Sequence, residues 1–412
     1  MALKSIASLL LLIYYLSRCE ALDETSVREY NYWRCPLPKC KTCPSPRQLE
    51  QPGIGFALEM GYGYLHLGER MCNTQLMHAS TAAVRWHNGT LQPLIRVSGS
   101  LAYLELMKKL SYTSAQTRFP DSISTIDGKA QYVISRLQRI INKLLGRLAN
   151  QQAAIIDGML AQLKVAVEEV LPPGIRTTHA VVSSLDSISL TLQEVGDALD
   201  YLQITNLITG PDELYSVSSA YAGFGFGLCK SYTQPHTCDW EEEFELPYER
   251  VLVVDFSEAA LIMTVKGMKS STKFSSGAAI INPELGFTEG KSDEEIQRLF
   301  REVTARIRRF VQDYRAEVTL IILTGTKAGD GRFIKAVKDA VEDLVTSQAI
   351  AKLDSFLADA NADMNRVFAT AKGAAEVAKR RLEGPVRCIW REECKSLPEA
   401  RPANIGREKL EL

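Results

Sequence analysis

From about Asp127 to Leu171, apolar residues recur at helical spacing: Ile134, Leu137, Ile141, Leu144, Leu148, Ile155, Met159, Leu163, Val167 and Val170. One face of a helix repeats in this way, and Pro172, Pro173 and Gly174 end the run. Ser292 opens the clearest helix. Ser292 to Glu295 forms a capping box, and Ile296, Leu299, Phe300, Val303, Ile307, Phe310, Val311 and Tyr314 follow as one apolar face. Further helices are predicted at about Ser189 to Leu202 and Arg332 to Val345, with two more stretches reaching Leu382. Other segments read as extended. Gly53 to Gly68, "GIGFALEMGYGYLHLG", alternates apolar and small residues with glycines at a turn, so a β-hairpin is predicted. "THAVVSS" reads as a short strand, "VTLIILTGT" as a buried strand, and "VLVVDFSEAALIMTV" (Val251 to Val265) as a second hairpin. The small residues of "VSSAYAGFGFGLC" suit a helix packed closely on its neighbours. Strands mixed with connecting helices argue for α/β layers.

The 412 residues are 46% apolar, enough for a sizeable core in two or three lobes. Lysine plus arginine is 48 against 49 for aspartate plus glutamate, a net charge of −1. No global charge draws the chain to nucleic acid or an anionic membrane. The densest acidic stretch, "DWEEEFE" (Asp239 to Glu245), is read as a solvated loop.

Lys4 precedes the apolar run Ile6 to Leu16, which is too short to span a bilayer and ends in "SRCEA". Residues 1–21 therefore read as a signal peptide cut after Ala21, leaving no membrane span. The expected location is the secretory pathway, either extracellular or in the lumen of the endoplasmic reticulum. Removal of Cys19 leaves Cys35, Cys40, Cys43, Cys72, Cys229, Cys238, Cys388 and Cys394. An even set in an oxidising compartment reads as disulfides. Cys229 with Cys238 and Cys388 with Cys394 are the favoured local pairs, and the connectivity of Cys35, Cys40, Cys43 and Cys72 stays open. Asn88 heads the glycosylation triplet Asn-Gly-Thr.

The chain carries no G-x-S-x-G, H-E-x-x-H or G-x-x-x-x-G-K-[ST] signature. His66, His78, His87, His179 and His236 lack metal-ligand spacing. A series of segments in fixed order is more informative. "ALEMGYGYLHLG" resembles a first phosphate hairpin, "AVVSSLDSISLTLQEVGDALDYLQI" the strand and helix after it, and "VSSAYAGFGFGL" a connecting helix. "VLVVDFSEAALIMTV" resembles a second phosphate hairpin, "LIILTGTKAG" an adenosine turn, and "VFATAKGAAEVAKRR" a closing helix. Together they resemble the actin-like ATPase superfamily, specifically the ATPase domain of heat-shock chaperones, over about residues 53 to 381. The arrangement is also similar to secreted or endomembrane members of that group in filamentous fungi.

The resemblance implies a two-lobed actin-like ATPase (ribonuclease-H-like) α/β fold. Its expected divisions are a Cys/Pro-rich leader at 22–52, lobe I at 53–216, lobe II at 217–382 and a Cys-containing tail at 383–412. Only about Lys266 to Glu317 separates the second hairpin from the adenosine strand, so the upper subdomain of lobe II is expected to be reduced to a loop and one helix. The resemblance places magnesium-orienting carboxylates at Glu59 and Asp255, and nucleotide contacts at Gly61, Gly63, Gly325 and Thr326.

Such a site needs glycines and small hydroxyls that let backbone N–H groups reach phosphate. Here Tyr62-Gly63 stands where the family has two threonines, and Ser257-Glu258-Ala259-Ala260 where it has Gly-Gly-Gly-Thr. Ser218 holds the family's glutamate position. The expectation is a pseudo-ATPase that binds an unidentified protein partner, with no catalytic residues and no cofactor. A residual Mg–ATP-dependent ATPase or phosphotransferase and a disulfide-stapled structural glycoprotein are the alternatives.

Overall fold

The computed structural model describes residues 39–41, 43–60, 78–113, 126–186, 190, 192–208, 214–288, 290–314, 317–359, 362–385, 388–391 and 394. Within them the chain forms two sheets. The first comprises β1 (Gly53–Leu58), β2 (His78–Arg85), β3 (Leu91–Ser98), β4 (His179–Ser183) and β5 (Thr205–Asn206), in the order β3-β2-β1-β4-β5. The second comprises β6 (Glu249–Phe256), β7 (Leu261–Met268), β8 (Ala278–Asn282) and β9 (Leu320–Thr324), in the order β8-β7-β6-β9. The two repeat one plan. Three antiparallel strands run in reverse order from the first, and the next strand then adds parallel to that first strand. This is the two-lobed α/β architecture expected from the sequence.

The crossovers differ between the lobes. In lobe I, α2 (Leu101–Thr113), α3 (Ile126–Leu144) and α4 (Gln151–Val170) lie between β3 and β4. The predicted continuous helix over 127–171 is therefore two helices. Gly146 adopts φ +67° at the break, and the Asn150 side chain accepts from the Ala153 amide to start α4. In lobe II, a short 3-10 turn (Pro283–Leu285) and α8 (Asp293–Tyr314) lie between β8 and β9. The interval from β7 to β9 thus holds a strand as well as the expected loop and helix. The Ser292 capping box forms, the Ser292 amide donating to Glu295 Oε2 at 2.8 Å and the Glu295 amide to Ser292 Oγ at 3.4 Å.

The first hairpin is longer than predicted. Its second strand is β2, not Tyr62 to Gly68, and residues 61–77 lie outside the described residues. The acidic stretch is no solvated loop either. The α-helix Pro235–Trp240 runs on into a wider turn, Glu241–Glu245, where Glu241 and Glu242 are buried. Glu241 accepts from the Lys230 amide, and Lys273 Nζ lies 3.7 Å from Glu242 Oε2.

Two helices cross between the lobes, α6 (Ser216–Gly223) and α11 (Ala362–Glu383). A Cβ on Gly373 would lie 1.8 Å from the Ser219 carbonyl oxygen, and one on Gly223 would lie 2.0 Å from that of Ala369. Only hydrogen at those two sites lets the backbones approach this closely. Chain order counts α11 with lobe II, yet it packs on the lobe I sheet. Cβ atoms on Gly53 and Gly55 would meet its backbone at 2.4 and 2.1 Å, and Ala57, Ala83, Ala371 and Ala375 form a buried cluster.

Leader and tail are clasped together on this helix. Cys40 bonds to Cys388 and Cys43 to Cys394, while Cys229 bonds to Cys238. The expected Cys388–Cys394 pair is thereby corrected. The backbone pairs Lys39 with Ile389, so each tail cysteine faces a leader cysteine before it faces its neighbour. Buried Lys379 of α11 adds a third tie, donating to the carbonyls of Leu49 and Gln51 at 2.6 and 2.8 Å.

Candidate functional site at the lobe junction

Glu59 directly follows β1, and Asp255 is the penultimate residue of β6, so equivalent ends of the two sheets bring both carboxylates to the junction. Thr81 Oγ1 donates to Glu59 Oε1 at 2.7 Å, and the Tyr103 hydroxyl donates to the Glu59 carbonyl at 2.9 Å. Thr324 is the parallel register partner of Asp255 and donates to its Oδ2 at 2.9 Å. Both acids keep a little accessible surface, but protein surrounds them densely. Burial, reinforced by the Asp255 charge, pushes the Glu59 carboxyl up to about 8 against the pull of Thr81 and Arg96. Burial pushes Asp255 up to about 6, opposed by Thr324 and reinforced by Glu258.

The turn after β6 is filled by its own atoms. The Ser257 amide donates to the Ala260 carbonyl at 3.1 Å, and the Ala259 amide to Ser257 Oγ at 3.3 Å. Ala259 and Ala260 are buried in the same apolar cluster as Leu58, Met60, Leu106 and Met107 of lobe I. Gly286 covers the other side, where a Cβ would lie 2.4 Å from the Glu258 carbonyl oxygen. The Phe287 amide bonds the Ser257 carbonyl at 3.0 Å.

Glu258 crosses to the turn after β9. Its Oε2 accepts from the Thr326 hydroxyl, and its Oε1 lies 3.4 Å from Lys327 Nζ. Gly325 adopts φ +100°, and a Cβ there would lie 2.4 Å from the Phe256 carbonyl oxygen. Gly325 and Thr326 thus serve contacts between the two turns of lobe II. Gly61 and Gly63 lie outside the described residues. Ser218 is buried in α6, its hydroxyl without a partner among the described residues.

Among the described residues, a crevice of about 260 Å³ is lined by Lys108 and Tyr112 of α2 and by Glu258, Glu284, Thr288 and Lys291 of lobe II. Among the described residues, Glu59 and Asp255 are the expected carboxylates that could face a metal ion, with Glu258 close by. Elsewhere, Cys229, Cys238 and Glu242 bring ligand atoms within 4.8 Å of one another, but both sulfurs are committed to the disulfide.

Sequence reasoning missed a second element of the junction. Lys266 of β7 ion-pairs with Asp186, which follows β4. Asp186 Oδ2 also accepts from the Ser216 hydroxyl at 2.9 Å and the Val217 amide at 3.0 Å, holding the start of α6. The Lys266 ammonium lies 4.3 Å from the Tyr215 ring centre and 4.7 Å from that of Phe274. A lysine inside an apolar strand is the signal that could have found this pair, because buried lysine needs a partner.

Asn88 is exposed at the β2–β3 turn, where its side chain accepts from the Thr90 amide at 2.9 Å. Among the described residues, no helix is long and apolar enough to cross a membrane.

No family model and no curated protein matches the chain. Among solved structures, the chain is similar to ethanolamine utilization protein EutJ from Carboxydothermus hydrogenoformans. The likeness covers 82% of this chain and 93% of that one, at 9% identity and a TM-score of 0.37.

Proposed function

We propose that this chain is a secreted or lumenal pseudo-ATPase, a two-lobed scaffold that binds a protein partner without nucleotide control. One observation carries the reading. The turn that would hold phosphate is occupied by Ala259 and Ala260 packed into lobe I and by the Glu258 carboxylate on Thr326 and Lys327. Two amides of that turn, those of Ser257 and Ala259, already have acceptors. A phosphate oxygen near 4 Å from Glu258 would meet repulsion of roughly 1–4 kcal/mol.

The same turn argues against Mg–nucleotide: Glu258 is held on Thr326 and Lys327, and the Ser257 and Ala259 amides are already taken. Export is supported by the three disulfides, and Asn88 on an exposed turn is proposed as a glycosylation site.

Isothermal titration of the mature protein with Mg–ATP tests the reading, and no binding heat is expected. Micromolar binding that disappears in Asp255→Ala would restore the residual ATPase, which the facing Glu59–Asp255 pair favours.

A further inference from the structure

Helix α3 sits inverted on lobe I. Its polar side faces inwards: Arg139 Nη2 donates to Asp197 Oδ1 at 2.8 Å, and Lys143 Nζ donates to Asp197 Oδ1 at 2.9 Å and to Asp200 Oδ2 at 2.8 Å. Asp197 and Asp200 belong to helix α5 (Leu192–Tyr201). The apolar side faces solvent, with Val133 45%, Ile134 60%, Ile140 47%, Ile141 53% and Leu144 81% exposed. At about 100° per residue these positions and half-buried Leu137 span an arc of about 120°, centred roughly opposite Arg139. A sequence pattern that normally buries a helix here leaves its apolar stripe bare.

We propose that this stripe is a homodimer interface, two copies pairing through parallel α3 helices about a twofold axis. The spacing selects this occupant. Ile134 and Ile141 fall at the a positions of a heptad and Leu137 and Leu144 at the d positions. Isoleucine at a with leucine at d is the arrangement that favours two parallel strands. Charge argues against a lipid surface. Arg139 and Lys143 are turned onto Asp197 and Asp200, whereas a helix lying in a bilayer surface presents its cations outwards. The stripe offers on the order of 500 Å² per copy, so a pair buries on the order of 1,000 Å², the lower bound for a specific interface. With only two heptads, the dimer is reversible.

Sedimentation velocity of the mature chain across a micromolar concentration series tests the proposal. The expected mass rises from monomer to dimer. Ile141→Glu and Leu144→Glu hold it at monomer without lowering the melting temperature, because both side chains are already in water in the protomer. Leu144→Cys gives a cross-linked dimer on a non-reducing gel, since d positions meet across a parallel seam. A wild type that stays monomeric overturns the proposal, and so does a dimer that survives both glutamate variants. A dimer without the Leu144→Cys cross-link overturns the parallel arrangement. Monomeric protein that floats with phosphatidylserine vesicles, with flotation lost in Leu144→Glu, reassigns the stripe to lipid.

Discussion

Lobe I lies against α11 through Gly53, Gly55, Ala57 and Ala83, whereas in lobe II Phe256 of β6 stacks on Phe333 at 4.4 Å and packs near Phe287 and Phe300. The strand plan is shared, but the side chains at these two contacts are not. In lobe I, backbone meets backbone and any added carbon collides. In lobe II, aromatic rings fill the gap between layers. The contrast shows that glycines just ahead of a segment resembling a phosphate hairpin can serve packing rather than a ligand. Gly53 and Gly55 serve a helix crossing, while the ligand-facing turn of lobe II has exchanged glycine for side chains that close it.

The largest expected effect sharpens this contrast. Gly373→Val places carbon where the Ser219 carbonyl lies 1.8 Å from even a Cβ, and backbone cannot yield as a side-chain tip can. Loss of soluble folded protein is expected on expression. In lobe II, Phe333→Ala leaves a cavity and costs about 3–5 kcal/mol by denaturant titration, with the fold retained. Equal tolerance of the two changes would erase the distinction between the lobes.

The clasp comes next. It closes loops with sequence separations of 348 and 351 residues that take in both lobes. Replacing Cys40 and Cys43 with serine is expected to lower stability by about 2–5 kcal/mol in non-reducing buffer. Replacing Cys229 and Cys238, only 9 residues apart, is expected to cost about 2–3 kcal/mol on the same loop-entropy basis.

The smallest effect compares the two facing acids. Each has a folded pKa above its ordinary value, so the native state holds a proton that the unfolded chain releases. Stability therefore falls as pH rises from the ordinary carboxylate range to about 8 for Glu59 and to about 6 for Asp255. In metal-free buffer, Glu59→Gln is expected to raise the melting temperature at pH 8 and leave it unchanged at pH 4, a gain of up to a few kcal/mol. The gain from Asp255→Asn should level off above about pH 6. Melting curves with no pH dependence in either difference would mean that both acids ionise freely.

Elements whose evidence is local were legible. The Ser292 box and the face from Ile296 to Tyr314 specify α8 within a few turns, because capping and amphipathicity act between near neighbours. The β6–β7 hairpin was equally plain, as each side of its short turn is largely apolar. Strands β2 and β3 were not. "HASTAAVR" carries little β-branched character, and its place depends on β1 and α11. The site was half legible. Glu59 and Asp255 could be named, but the hydroxyls that hold them, Thr81 and Thr324, come from strand register and leave no mark in spacing.

The amino-acid order by itself determined which stretches coil, which extend, and that the turn after β6 lacks glycine. Those properties reside in side-chain shape and in contacts a few residues apart. Only the tertiary arrangement decided that Cys40 reaches Cys388, that α11 belongs against lobe I, that Glu258 is held by Thr326 and Lys327, and that α3 turns its apolar stripe outwards. Each of these depends on groups distant along the chain meeting at ångström separations, and the geometry of that meeting is set by the packing of whole layers.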